Sequence, residues 1–335
     1  MLTKRLGIDL GTCNIRFYLP GKGVVVDEPA VAALSIEDSK IIAIGQEAKE
    51  MLGKTPENII ACRPIVNGVI ANFTTTSAII SYYLNKILGG FRLLKPEIMI
   101  TVPAGATSTE RRAAIDAVIN AGAKDVYVVK EPVAAALGAE IPVTGASGNM
   151  IINIGGGITE VAVLSLGGIV TWSSIRFGGN QINEAIINFI RKKYNLIIGE
   201  QTAEEIKIKY GHVLPSEDSV PMEISGSNSI TGLPESIILL SSELIEPLRQ
   251  SVNELISAVK NVLQNTPPEL AADVIDKGII MSGGGAKLSG LEDLLTKITG
   301  VPCQVALESE LCAVKGTGIA IENFDAYKKS IFWVK

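Results

Sequence analysis

Two segments half a chain apart repeat one design, and that repeat constrains the fold more than any other feature. Residues 6–18 read LGIDLGTCNIRFY and residues 150–163 read MIINIGGGITEVAV. Each is an apolar strand that ends in a polar residue, turns through glycine and returns as a second apolar strand. Such patterning predicts a hairpin with a buried side. Two copies predict two similar halves whose turns face one another across a cleft. A cleft lined by glycine turns suits a nucleoside triphosphate and its metal.

The rest of the chain alternates strand and helix patterns, which predicts α/β layers. Its 335 residues allow two domains of ordinary size, and 47% hydrophobic content supplies their cores. Three short strands are expected over residues 5–34, a strand at 40–44 and a helix at 46–52. Further on, a helix is expected at 76–89 and a strand at 97–103. Thr107 and Glu110 have the spacing of a capping box that opens a helix through Ile119. A strand over 125–130 leads to Pro132 and an alanine-rich helix, and the Gly/Ser/Thr-rich 142–149 reads as a hinge. In the second half, helices capped at Thr202 and at Ser289 are expected. Residues 213–240 read as a strand-rich insertion, followed by one long helix over 242–263. The tail 325–335 carries Phe332 and Trp333 and fits no element.

A net charge of -5 argues against a broad nucleic-acid surface, so no nucleic-acid partner is expected. His212 is the only histidine, which excludes a histidine triad or a multi-histidine metal centre. Cys13, Cys62, Cys303 and Cys312 lack metal-ligand spacing and read as reduced thiols. No apolar run reaches the ~18 residues of a spanning helix, and the first residues carry no signal-peptide pattern. A cytosolic chain is expected.

In the first turn, Gly11 permits close backbone approach, and the amides of Thr12, Cys13 and Asn14 can face a phosphate. Asp9 at the strand end can hold the waters of a magnesium ion. Gly155, Gly156 and Gly157 put no side chain in a phosphate's way, and Gly283, Gly284 and Gly285 suit a base and ribose. Glu131, between a strand end and Pro132, has two readings. It orients a water for in-line attack on a γ-phosphate, or it complements a helix N-terminus.

Taken together, these residues resemble the actin superfamily, most closely the bacterial actin MreB family. The resemblance also rests on Arg63-Pro64, residues 68–71, Glu110-Arg111-Arg112, residues 131–136, 202–207 and 266–271, and Gly316-Thr317-Gly318. It implies an actin-like duplicated two-domain α/β fold with ribonuclease-H-like cores, four subdomains and an interdomain nucleotide cleft. The implied core subdomains are 1–32, 65–144 and 313–330, and 145–180 with 242–312. The small ones are 33–64 and 181–241. The resemblance further implies ATP or GTP with Mg2+, filaments of self at the inner face of the plasma membrane, paralogous actin-like partners and wall-synthesis membrane proteins. It brings Glu204 and Lys207 to the base or ribose, and Ala286 to the same end as the three glycines.

Several positions depart from the family pattern. Asn153 stands where the resemblance implies an aspartate that places metal and water, and Ile158 where it implies the threonine that partners Glu131 in hydrolysis. Asn67, Asn72 and Asn180 stand where acids are usual, and Ile15 where threonine is usual. Weak or absent hydrolysis is expected; a fully active polymerising ATPase is the alternative. A sugar kinase lacks a convincing catalytic aspartate, and an Hsp70-type chaperone would need a further substrate domain. Phe91, Leu93 and Leu94, flanked by Arg92 and Lys95, have the character of an apolar membrane-dipping tip, or of residues packed beneath the preceding helix.

Overall fold

The computed structural model describes residues 4–89, 95–215 and 219–333. Two sheets carry the fold. The first runs in the order Gly23–Pro29, Asn14–Leu19, Arg5–Leu10, Glu97–Val102, Asp125–Lys130, Ile331–Trp333. The second runs Gly168–Ile175, Thr159–Ser165, Asn149–Ile154, Ile279–Ser282, Cys303–Val305. In both, two antiparallel pairings are followed by two parallel ones. The same strand order and sense, built twice, is the duplication that the paired hairpins predict. Each hairpin occupies the same place in its sheet.

The sheets share a core. Helix Glu131–Gly138 and helix Cys312–Glu322 pack together with buried residues of both sheets, including Met99 and Val129 from one and Ile151 and Ala162 from the other. The approach of these helices is backbone to backbone. A Cβ at Gly138 would collide with the backbone of Cys312, and one at Gly316 with that of Ala134. The small residues there let the two helices pack closely, and the pair forms a seam against both sheets.

Two three-stranded sheets are appended. One is Ile41–Ile44, Ala32–Ser35 and Ile59–Cys62; the other is Leu196–Ile197, Pro221–Asn228 and Pro234–Leu240. Residues 5–34 thus hold four strand segments rather than three, because the chain leaves the core sheet after Pro29 and enters the small sheet at Ala32.

Three other expectations need correction. The helix over 242–263 is broken: a 3-10 turn spans Ser241–Leu244, a helix Ile245–Ser251, and a second helix Asn253–Gln264. Helix Glu200–Tyr210 starts two residues before Thr202, on Gly199, and helix Leu291–Thr299 starts on Gly290; neither has a side-chain cap. The Ser289 hydroxyl instead meets His212 Nδ1 at 2.8 Å. The tail is not free: Ile331–Trp333 adds an antiparallel edge strand beside Asp125–Lys130. Among the described residues no helix is long and apolar enough to cross a membrane. Phe91, Leu93 and Leu94 lie outside the described residues.

Candidate functional site

The two hairpin turns face one another across a cavity of about 410 Å³. One wall holds Asp9, Gly11, Thr12, Cys13 and Asn14; the opposite wall holds Asn153, Gly155, Gly156 and Ile158. Glu131 lies between them, and Glu204, Lys207 and Gly283 to Gly285 line the remainder. All but two of the site residues expected within the cleft therefore converge on one cavity. Gly157 and Ala286 are buried behind its wall.

The glycines have a second task that the sequence does not reveal. A Cβ on Gly156 would collide with the Cys13 sulfur, and one on Gly157 would lie 3.0 Å from both Thr12 Cγ2 and Asn67 Oδ1. The turns are bare partly because they pack against each other. Gly283 (φ 83°) and Gly285 press against Ile154 of the second hairpin, whereas a Cβ on Gly284 would meet nothing within 4 Å. Gly284 thus leaves room where a ligand can lie against the backbone. The Gly155 amide is spent within its own turn, on Ile158 O at 2.9 Å. The amides of Gly179 and Asn180 bond the carbonyls of Gly155 and Gly156, fixing the following helix to the turn.

Hydrogen bonds within each wall fix its shape, and others cross from one half to the other. Cys13 Sγ donates to Asn180 Oδ1 at 3.2 Å, and Thr12 Oγ1 accepts from the Gly68 amide at 2.9 Å. Lys207 Nζ donates to Gly179 O at 3.0 Å, and burial pushes its amine below the usual lysine range. Glu204 bonds Lys49 Nζ at 3.0 Å, a tie from one small sheet's lobe to the other's. Arg63 and Glu200 make a parallel tie at 2.9 Å. Of the other departures from the family pattern, Asn72 caps helix Phe73–Leu88 by accepting from the Thr75 amide, and Ile15 is core.

Glu131 is the first residue of its helix, but its side chain reaches into the cleft, where Asn153 Nδ2 donates to its Oε1 at 2.7 Å. Asn153 Oδ1 in turn accepts from Ser282 Oγ at 2.9 Å. Burial, then Glu160 and Asp9, push the Glu131 carboxyl well above the usual range, while the Asn153 bond opposes them. An amide at 153 suits this place because it donates to Glu131 rather than adding another buried negative charge. Ile158, the position that the resemblance pairs with Glu131, lines the same cavity at 9% exposure, and its side chain cannot bond a water.

Magnesium fits these residues poorly. Asp9 Oδ1 accepts from Thr101 Oγ1 at 2.9 Å, and Oδ2 faces Arg16 Nη1 at 3.7 Å. Burial raises the Asp9 carboxyl, with Arg16 and Thr101 opposing. Asn153 presents its N–H side to Glu131, and its oxygen is taken by Ser282. Among the described residues no cluster of three or more His, Cys, Asp or Glu could hold a metal ion.

Arg16, Gly179, Lys287 and Glu310 also line the cavity and were not singled out in the sequence. Arg16 was legible in principle: it stands opposite Asp9 across the hairpin, so the two side chains share a face. Lys287 and Glu310, paired at 2.6 Å, come from turns far apart in sequence and left no local signal.

The profile of the MreB/Mbl protein family matches residues 3–329. The cell shape-determining protein Mbl of Bacillus cereus is 44% identical over 329 residues, covering 98% of this chain and 99% of the relative. The cell shape-determining protein MreB of Escherichia coli K12 is 41% identical, covering 99% and 97%. The crystal structure of MreB 5 of Spiroplasma citri bound to AMPPNP superposes with a TM-score of 0.93 at 32% identity, covering 98% and 99%.

Proposed function

Because this chain belongs to the MreB/Mbl family, we propose that it is a nucleotide-binding cytoskeletal protein whose filaments determine cell shape and guide wall synthesis, with weak hydrolysis. The observation that carries the reading is the single cavity in which both hairpin turns meet the glycine run at 283–285. The AMPPNP-bound relative supports ATP as the ligand. The two core units at 1–32, 65–144, 313–330 and at 145–180, 242–312 close on the nucleotide, and the small units at 33–64 and 181–241 cover it. Filaments form by head-to-tail contacts between copies. They lie in the cytoplasm against the inner face of the plasma membrane, with Phe91, Leu93 and Leu94 as the apolar tip and membrane proteins of wall synthesis as partners.

Weak turnover follows from the site's chemistry. Water activation needs a positioned group free to take or share a proton. Here one Glu131 oxygen is engaged by Asn153, and Ile158 offers nothing to a water. The chain's residues bind and enclose the nucleotide without completing the attack.

The test is sedimentation beside phosphate release on the purified chain with ATP. Pelleting with little phosphate over hours is expected. The double variant Asn153→Asp, Ile158→Thr should raise release about 10²-fold, the low end for a restored proton-handling group. Release by the unaltered chain coupled to loss of polymer would select the other reading, an active polymerising ATPase in which Glu131 suffices.

A further inference from the structure

We propose that Arg16 is a phosphate-binding residue that supplies, from the protein, countercharge that the chain's acids cannot recruit by holding a divalent cation. The inference rests on the nucleotide occupying the cleft. It starts from the hairpin register. Arg16 lies opposite Asp9 on one side and opposite Asp27 on the other, so three charged side chains share one face of three adjacent strands. Asp9 and Arg16 of that face line the cavity.

The guanidinium is held, but not consumed. Its Nε donates to Asp27 Oδ1 at 2.8 Å, and Asn14 Nδ2 steadies the same oxygen at 2.9 Å. Its Nη1 is 3.7 Å from Asp9 Oδ2, an attraction at a length beyond a good hydrogen bond. The side chain is 15% exposed. Guanidinium offers five donors in a rigid fork, so a group anchored through Nε presents its remaining N–H edge to whatever enters beside Asp9. In a pocket of facing glycine turns, a phosphate oxygen is the acceptor with matching charge and geometry.

Arg16 also alters what Asp9 can do. A carboxylate within reach of a guanidinium is already compensated, and its attraction for a hydrated cation falls. The neighbouring position that could have restored the negative charge is Asn153, which turns its N–H side to Glu131. The same wall therefore trades a cation-recruiting pair for a fixed cation. Asp27 is a positioning residue, since it touches Arg16 and lies 40% exposed at the edge of the face.

Calorimetric titration of the whole chain with AMPPNP, once in excess Mg2+ and once in EDTA, tests this without any variant. Affinities within about fivefold of each other are expected. Binding in Mg2+ that weakens a hundredfold or more in EDTA would overturn the inference and leave the nucleotide reading intact. Failure to bind in either condition would overturn both. Arg16→Met should lose at least about thirtyfold in EDTA and much less in Mg2+, and Arg16→Lys should recover part of the loss. AMP, with a single phosphate, should bind with little dependence on residue 16. An Arg16→Met loss equal for AMP and AMPPNP, or equal with and without Mg2+, would mean a structural role instead.

Discussion

Glu160 is fully buried between the halves of the molecule, where its Oε1 accepts from the Ala104 amide of the first half at 2.6 Å. Burial pushes its carboxyl up to about 7, against the pull of the Ala104 and Gly105 amides. The folded chain therefore keeps this proton between pH 4.5 and 7, while the unfolded chain releases it. The resulting stability is fully present below the unfolded value and is lost as pH rises through 7. Glu131, raised by burial and by Glu160 and Asp9, adds a slope of the same sign. Melting temperature should thus fall from pH 5 to pH 8, and Glu160→Gln should flatten part of that fall. Identical pH slopes for the two proteins would refute it. The sequence hid Glu160 because it stands within the returning strand of the second hairpin, opposite Asn153, and its burial against the first half is set by the fold. Asp9 and Glu131 were legible for the opposite reason: each stands at a strand end beside a structure breaker.

Helix Ser108–Asn120 begins as its spacing predicts. Thr107 Oγ1 accepts from the Glu110 amide, and Glu110 Oε2 accepts from the Thr107 amide at 2.8 Å. Thr107→Ala removes one half of that reciprocal cap and should cost about 1 kcal/mol, read as a lower urea midpoint with an unchanged slope. A cost below about 0.3 kcal/mol would show that the loop fixes this helix start without the cap. Capping rules failed at Thr202 and Ser289, where glycine takes the entry position and the hydroxyl serves elsewhere or nothing local. The break at Val252 was invisible because Leu244, Leu248, Val252, Leu255, Val259 and Val262 are all buried on one continuous stripe. Periodicity reports the buried face, and that face runs across the break unchanged. The three-residue strand Ile331–Trp333 is too short to carry any period; its place comes from the open edge of Asp125–Lys130.

At the scale of the whole molecule, the halves are joined at a rigid seam on one side and by ion pairs on the other. The seam is the shared core in which the closely packed helices Glu131–Gly138 and Cys312–Glu322 meet Met99 and Val129 of one sheet and Ile151 and Ala162 of the other. The ion pairs are Lys49–Glu204 and Arg63–Glu200, with Gln201 Nε2 donating to Lys49 O at 2.8 Å. Half-exposed pairs are each worth roughly 0.2–1 kcal/mol and weaken with salt. Lys49→Ala with Glu200→Ala should speed release of a fluorescent nucleotide about two- to thirtyfold, and added salt should narrow the difference. Unchanged release rates would place the barrier elsewhere. Duplication made the large architecture readable from two hairpins, whereas these cross-lobe pairs depend on chain segments some 150 residues apart and needed the fold. One close approach has a further consequence. The half-buried Cys13 sulfur lines the cavity, rests on Gly156 and bonds Asn180, so its nearest ties are to the opposite half of the protein. A thiol reagent entering the cavity can meet that sulfur only by giving up its tie to Asn180, which makes the natural side chain a chemical reporter of contact between the halves.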